Sequence, residues 1–326
     1  MHNRSHQALG HLCAIFAAFN WGFTFILTSI LMDAGLSAFE ALLFRSCVAY
    51  LFLWIICPRL PKLNISKGLR QFIKKEWPFI VAGLSGLSIY FLLDYSALNF
   101  TSASFVTILA GTVPLFMAIA LWIVYKEPPK KLFILGFVIA VSGVTLVSTA
   151  GGQGLNVSLI GTALVLTGNV LWAVYSIMLR KIDESGETTG KGQPIGISQA
   201  LLNLRRIFFW GLVSLLVCMP FFGFDVSGVN LISLNVLGPT LILGVMTSAL
   251  TFLAYSLSIR WLGVSRASVY QYFPPAVGAV AAHFLLGETI SFLGAIGIGI
   301  IIIGLLLSER VSGSGSVEHP VAGEDT

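Results

Sequence analysis

The sequence predicts an all-α membrane protein of ten transmembrane helices arranged as two inverted five-helix repeats. Three observations predict it: a composition too apolar for water, ten apolar segments of spanning length, and a repeat at an offset of 161 residues between halves that each hold an odd number of spans.

Composition comes first. Of 326 residues, 56% are hydrophobic and 10% charged, with mean hydropathy +0.90. Soluble domains carry about 25% charged residues, so the bilayer is the solvent that fits. Length alone would suggest two soluble domains, and composition overrides it. The apolar segment from Gly10 to Met32 is too long for the core of a cleaved signal and reads as a retained first span. Cys13, Cys47, Cys57 and Cys218 fall in or beside apolar stretches with no CxxC or Cys/His pattern, which implies neither disulfides nor a zinc site. No metal and no cofactor is expected. Ser312–Thr326 is rich in Gly, Ser and acids and is expected to be a disordered tail.

A spanning helix needs about 20 mostly apolar residues. Segments 10–33, 37–57, 77–98, 101–124, 131–149, 159–180, 197–221, 234–258, 265–286 and 289–308 qualify. Their apolar runs are continuous rather than alternating, which selects helices over a barrel. Prolines in 101–124 and 265–286 predict kinks there. With these spans the basic loop residues all fall on one side, from Arg4 through the 58–76 loop, Lys126–Lys131, Arg180–Lys191 and Arg260–Arg266 to Arg310. The other side's loops hold no Lys or Arg. That asymmetry places both termini in the cytoplasm and explains the net charge of +5 as an orientation signal beside anionic lipid, not a nucleic-acid surface. The expected units are an N-terminal stretch 1–9, repeats over 10–150 and 151–308, and the tail 309–326.

Shifting the chain by 161 residues aligns 114–146 with 275–307 without gaps, and nine of 33 positions are identical. Shared membrane composition gives some Ala, Leu, Ile and Gly matches. Pro114/Pro275 and Glu127/Glu288 are harder to obtain by chance, and Arg45 meets Arg206 at the same offset. Trp21 lies opposite Trp172 at a different offset. Five spans per half force the second half into the membrane from the other side. Inverted repeats place a site near the midplane between the halves, and interchange of the halves' conformations supplies the two states of a carrier.

The chain resembles the drug/metabolite transporter superfamily, EamA type. The residues that carry the resemblance are Asn20-Trp21-Gly22, Thr101-Ser102-Ala103-Ser104, Pro114-Leu115-Phe116, and Lys126-Glu127 before Gly136 and Gly143. The second copy reads Gly263-Val264-Ser265-Arg266-Ala267-Ser268, Pro274-Pro275, and Gly287-Glu288 before Gly297 and Gly304. One departure is Lys126, where the family has Gly. The resemblance implies a bacterial inner-membrane carrier of metabolites, amino acids or drug-like solutes, often moving them outward. It also implies a cavity lined by the first, third, fourth, sixth, eighth and ninth spans.

On those spans the candidate solute contacts are Asn20, Trp21, Tyr90, Thr107, Asn169, Trp172, Tyr175, Tyr255, Tyr270 and Gln271, a set of apolar walls with a few placed polar groups. Candidate gating or coupling residues are Arg45, Asp94, Pro114, Pro275, Glu127 and Glu288. Each has a structural reading beside it. Arg45 and Asp94 either pair or handle solute or protons. Glu127 and Glu288 either gate or sit at a helix N-terminus, where the dipole favours a carboxylate. Pro114, Pro274 and Pro275 either kink their spans for packing or free carbonyls at a site. Glu40, at the outer mouth, is expected to be solvated. The glycine faces at 136/143 and 297/304 are expected to be close helix contacts. The partners expected are a small-molecule solute, the lipid bilayer, and a coupling proton or ion, with no nucleic acid. An intramembrane protease is the enzyme alternative, since Gly83-Leu84-Ser85-Gly86 has the GxSG shape and His283 stands for its base. Their unequal depths, by about 15 Å at 1.5 Å per residue, argue against that dyad. A non-transporting assembly protein is the other alternative.

Overall fold

The computed structural model describes residues 2–58, 69–97, 99–101, 103–150, 158–185, 197–286 and 291–312, and every regular element among them is helical. The first apolar run forms α1 (His2–Gly22) and α2 (Thr24–Asp33), and α3 (Ala38–Ile56) follows. The third run is α4 (Leu69–Gly83), a π-helical stretch Leu84–Ser88, and α5 (Ile89–Ala97). Next come α6 (Ala103–Ala110), α7 (Val113–Tyr125) and α8 (Lys131–Thr149). The second half opens with α9 (Leu159–Glu184) and α10 (Ile197–Phe222). Then α11 (Leu234–Ile242), a second π-helical stretch Leu243–Leu250 and α12 (Thr251–Leu262) form one run. The chain ends in α13 (Val264–Val269), a 3₁₀ turn Tyr270–Tyr272, α14 (Pro274–Leu286) and α15 (Phe292–Ser312). Among the described residues seven helical runs are long and apolar enough to cross a membrane, and Val113–Tyr125 and Phe292–Ser308 are shorter apolar helices. Three expected spans fall outside the seven: the fourth and ninth because each is interrupted, at Gly111–Thr112 and at 270–273, and the tenth because its described apolar part, Phe292–Ser308, is short.

Both interruptions sit where proline follows. Pro114 and Pro275 are each the second residue of the helix after the break, where a missing N–H costs no helical bond. The two π-helical stretches also correspond, because residues 84–88 shifted by 161 fall inside 243–250. A π turn carries one extra residue and leaves carbonyls poorly bonded. Nearby hydroxyls take them up: Ser88 Oγ donates to Leu84 O at 3.2 Å and Thr251 Oγ1 to Met246 O at 2.7 Å. No local propensity announces these turns.

Glycines let the two halves meet. A Cβ on Gly136 would lie 2.8 Å from the Gly304 carbonyl, and one on Gly143 would lie 2.8 Å from the Gly297 carbonyl. The pairing is therefore antiparallel, and it is exchanged. Gly136 meets the repeat mate of Gly143, and Gly143 meets the mate of Gly136. Reciprocity of that kind is the signature of a two-fold axis. Gly83 repeats the pattern against Gly211 and Ile207 of α10, and Gly244, 161 residues later, does so against Arg45 of α3. Phe91 and Phe252, also 161 apart, touch each other at 6.5 Å between centroids, which puts the axis between them.

At one end of the bundle Glu40 differs from expectation. It is 3% exposed rather than solvated. Its carboxylate accepts from Ser37 N at 2.7 Å, while Glu40 N–H bonds Ser37 Oγ, a capping box at the start of α3. The other carboxylate oxygen accepts from Asp225 N at 2.8 Å, tying the loop after α10 to α3. Within that loop the Ser227 hydroxyl and N–H hold the Asp225 carboxyl below the usual carboxylate range. At the opposite, basic end Lys126 closes α7 with φ 60°, a left-handed conformation that glycine normally supplies. Gly287 and Glu288, its counterparts in the repeat, lie outside the described residues.

Candidate functional site

The helices around the axis carry one connected cluster of rings. Trp21, at the end of α1, packs edge-on against Trp172 of α9 at 5.4 Å and lies 5.2 Å from Tyr255 of α12. Trp172 lies 4.9 Å from Tyr90, 5.2 Å from Tyr175 and 5.8 Å from Phe252. Tyr175 and Tyr255 stack at 6.4 Å. Gln271 Nε2 donates to the Tyr255 hydroxyl at 3.0 Å, and Ser176 Oγ shares a bond with that hydroxyl at 3.1 Å. Trp21, Tyr90, Trp172, Tyr175, Tyr255 and Gln271 are thus brought together from four helical runs and the 3₁₀ turn. Phe252 and Ser176 join them without having been singled out. Phe252 was signalled by its match to Phe91 at the repeat offset.

The ring cluster is built by an antiparallel register between the third run and α9. Gly86 faces the Tyr175 ring. One turn on, Tyr90 meets Trp172. One turn further, Asp94 meets Gly168, whose Cβ, if present, would lie 3.1 Å from Asp94 Oδ1. Residues 86, 90 and 94 share one face, as do 168, 172 and 175. Asp94 is 4% exposed and shares a side-chain hydrogen bond with Tyr90. Its Oδ1 has no partner, and neither do Trp21 Nε1, Tyr175 Oη and Asn169 Oδ1. Buried polar atoms are bonded in the great majority of cases, so these four atoms mark the cluster as chemically unsaturated.

Arg45 and Asp94 do not form the ion pair that their shared depth suggested. Arg45 Nε donates to Ser248 Oγ at 2.9 Å, Nη1 reaches the Tyr95 hydroxyl at 3.5 Å, and the guanidinium lies 4.7 Å from the Phe91 centroid. Neighbouring helical residues point about 100° apart, so Tyr95 faces Arg45 while Asp94 faces α9. Arg205 donates to the Cys57 carbonyl, and Arg206 pairs with Glu76 at 2.6 Å over the Phe79 ring. Asn169 Nδ2 donates to Leu109 O at 2.9 Å and to Thr112 Oγ1 at 3.0 Å, holding the break between α6 and α7. Three other candidates have described bonds that lie elsewhere. Asn20 bonds back to Phe16 O. Tyr270 shares a 2.7 Å bond with His11 and packs beside a separate apolar cluster around Tyr272. Thr107 sits on α6, with its carbonyl bonded to Gly111 N.

Comparison with known proteins settles the family. The EamA-like transporter family matches residues 8–149 and again 159–310. The chain belongs to the EamA-like transporter family. An uncharacterized transporter, YyaM, of Bacillus subtilis (strain 168) is 29% identical over 76% of this chain and 79% of its own length. A "Probable terminal-alkyne amino-acid exporter" of Streptantibioticus cattleyicolor is 24% identical over 74% of this chain and 76% of its own. A solved structure described only as "Crystal structure of protein" shares the fold, with TM-score 0.70 and 15% identity over 94% of this chain and 99% of that one.

As an EamA-family member the chain is a multi-pass membrane protein and a transporter, and the relatives above are named as transporters or exporters. The protease-like motif has another use here. Gly83 admits α10, Gly86 admits the Tyr175 ring, and Ser85 Oγ donates to Val81 O at 2.7 Å while His283 is exposed on α14. Ser85 and His283 do not assemble as a nucleophile and base. Glu127 does not cap α8, whose N-cap is Lys130. Instead Arg180 of α9 grips it with both terminal nitrogens, at 3.0 and 3.2 Å, while Arg180 Nε holds Glu184 at 2.8 Å and the guanidinium covers Tyr125 at 3.8 Å. The left-handed Lys126 turns the chain so that Glu127 reaches across to that arginine.

Proposed function

We propose that this chain is a gradient-driven carrier that moves a small organic solute by alternating access, outward across a bacterial inner membrane. In this reading it has ten spans in two inverted five-helix repeats, with both termini cytoplasmic. The observation that carries the proposal is the exchanged glycine contact between α8 and α15, together with helices broken at matched positions beside one ring cluster. A two-fold frame of this kind lets each half adopt the other's conformation, and broken helices supply the site and the hinges. The basic loops support the orientation. The amino-acid exporter among the relatives supports both outward movement and a solute of amino-acid size.

Trp21, Tyr90, Trp172, Tyr175, Tyr255 and Gln271 contact the solute in this proposal. The gradient acts through Asp94. Among the described buried carboxylates, Glu76 has Arg206 and Glu40 has backbone N–H groups, whereas Asp94 has neither. The cluster Arg180–Glu127–Glu184 serves as the gate at the basic end, and the Glu40–Asp225 tie as the gate at the other.

Counterflow in proteoliposomes tests the reading. Vesicles preloaded with unlabelled amino acids, nucleobases, polyamines or organic cations take up the labelled counterpart of the true solute. The Trp172→Ala chain does not. Absence of exchange for every class would overturn the proposal. The coupling role is tested separately, since Asp94→Asn should remove the part of the flux that follows an imposed pH gradient.

A further inference from the structure

We infer that Asp94, with the ring faces of Tyr90, Trp172 and Trp21, recognises a protonated amine on the solute; this rests on the carrier reading above. A carboxylate inside a span is costly unless it has a partner. Asp94 receives one hydrogen bond from within its own helix and presents an unpartnered Oδ1 toward Gly168 of α9. The glycine leaves that oxygen uncrowded from α9, because a Cβ there would press on it at 3.1 Å. One turn away along both helices stand Tyr90 and Trp172, 4.9 Å apart and inclined by 49°, with Trp21 edge-on behind them. A cation within about 6 Å of such faces is attracted by their quadrupoles, most strongly by tryptophan.

The protein itself shows how it holds a half-buried cation. Arg206 lies between the Glu76 carboxylate at 2.6 Å and the Phe79 ring at 3.5 Å, with Trp210 Nε1 donating to the other Glu76 oxygen at 3.1 Å. Asp94, Tyr90 and Trp172 repeat that combination of one carboxylate and ring faces on the opposite side of the third run. Among the described residues no Lys, Arg or His bridges Asp94. An ammonium group on the solute completes the same arrangement, with its N–H groups on Oδ1 and its carbon skeleton among the rings.

Titration of tryptophan fluorescence tests this with the full chain in nanodiscs, using phenethylammonium and its neutral isostere phenethyl alcohol. The wild-type chain should bind the ammonium about tenfold or more tightly than the alcohol. Asp94→Asn should bring the ratio of ammonium to alcohol affinity close to one, and Asp94→Glu should keep the preference. Gly168→Ala retains the carboxylate but covers Oδ1, and should lose the preference as well. Lack of preference in the wild-type chain overturns the inference whether or not the variants fold, and so does a preference that survives Asp94→Asn. Flux in liposomes separates the two readings. Ammonium preference without flux of any solute overturns the carrier and keeps the amine site. Flux with no ammonium preference overturns the amine site and keeps the carrier.

Discussion

The α8–α15 seam and the ring cluster lie on the same pseudo-two-fold frame, yet they are made of opposite materials. The seam brings backbone against backbone, with glycines 136, 143, 297 and 304 each letting the facing helix's main chain come close. The cluster is side chain against side chain, made of indoles, phenols and a carboxylate with several polar atoms unpartnered. Lipid offers no hydrophobic drive for helix association, so close packing must supply it. The seam meets that need and tolerates no change of shape. The cluster can rearrange, because rings rotate and its hydrogen bonds are incomplete. The comparison separates a frame from a working part.

Substitution should expose the difference. The largest effect is expected at the seam. Gly143→Val places atoms against Ile301 N and the Gly297 carbonyl, which cannot give way. It should cost about 3 kcal/mol or more and lower the yield and melting temperature of purified protein. A melting curve like the wild type's would show that the seam is not rigid. In the cluster, Trp172→Phe keeps a ring but loses the indole. It should cost only about 1–2 kcal/mol of stability while reducing counterflow severalfold, so flux and stability separate there and not at the seam. Lys126→Gly relieves a left-handed residue and should raise stability by about 1 kcal/mol, read as an upward shift of the melt. The smallest effect is Arg180→Gln. Its ion pair is partly exposed and contributes about 0.5 kcal/mol. The measurable consequence is faster labelling, from the basic face, of a cysteine placed at Ser176 in a chain whose four native cysteines are replaced. Unchanged labelling would remove Arg180 from the gate.

Much of the frame was legible in the sequence. The bilayer imposes long apolar runs, and matched Pro114 and Pro275 announced both breaks. The glycine faces were legible because small residues recur where helices touch closely. Ser37-x-x-Glu40 is a capping-box pattern, and it would have warned that Glu40 is engaged rather than solvated. The π-helical turns left no such trace, since one extra residue in a helix follows from packing at Gly83 and Gly244 rather than from local preference. Those turns help set which way Tyr90, Asp94 and Tyr95 point. That direction is why depth alone misjudged Arg45 and Asp94 as partners, and the 3₁₀ turn likewise sends Gln271 to Tyr255 and Tyr270 to His11.

The repeat register sets Asp94 opposite Tyr255, a single acid against a phenol. Phe91 and Phe252 touch across the axis, which leaves Asp94 and Tyr255 about one turn from it on either side. Two identical halves would have set a carboxylate on each side of the axis in a low-dielectric interior, where each charge disfavours ionisation of the other. Joining the halves in one chain removes that constraint. Each half keeps its share of the symmetric scaffold, and only one carries the charge. Fusion thereby permits a division of labour that a homodimer of single repeats is denied.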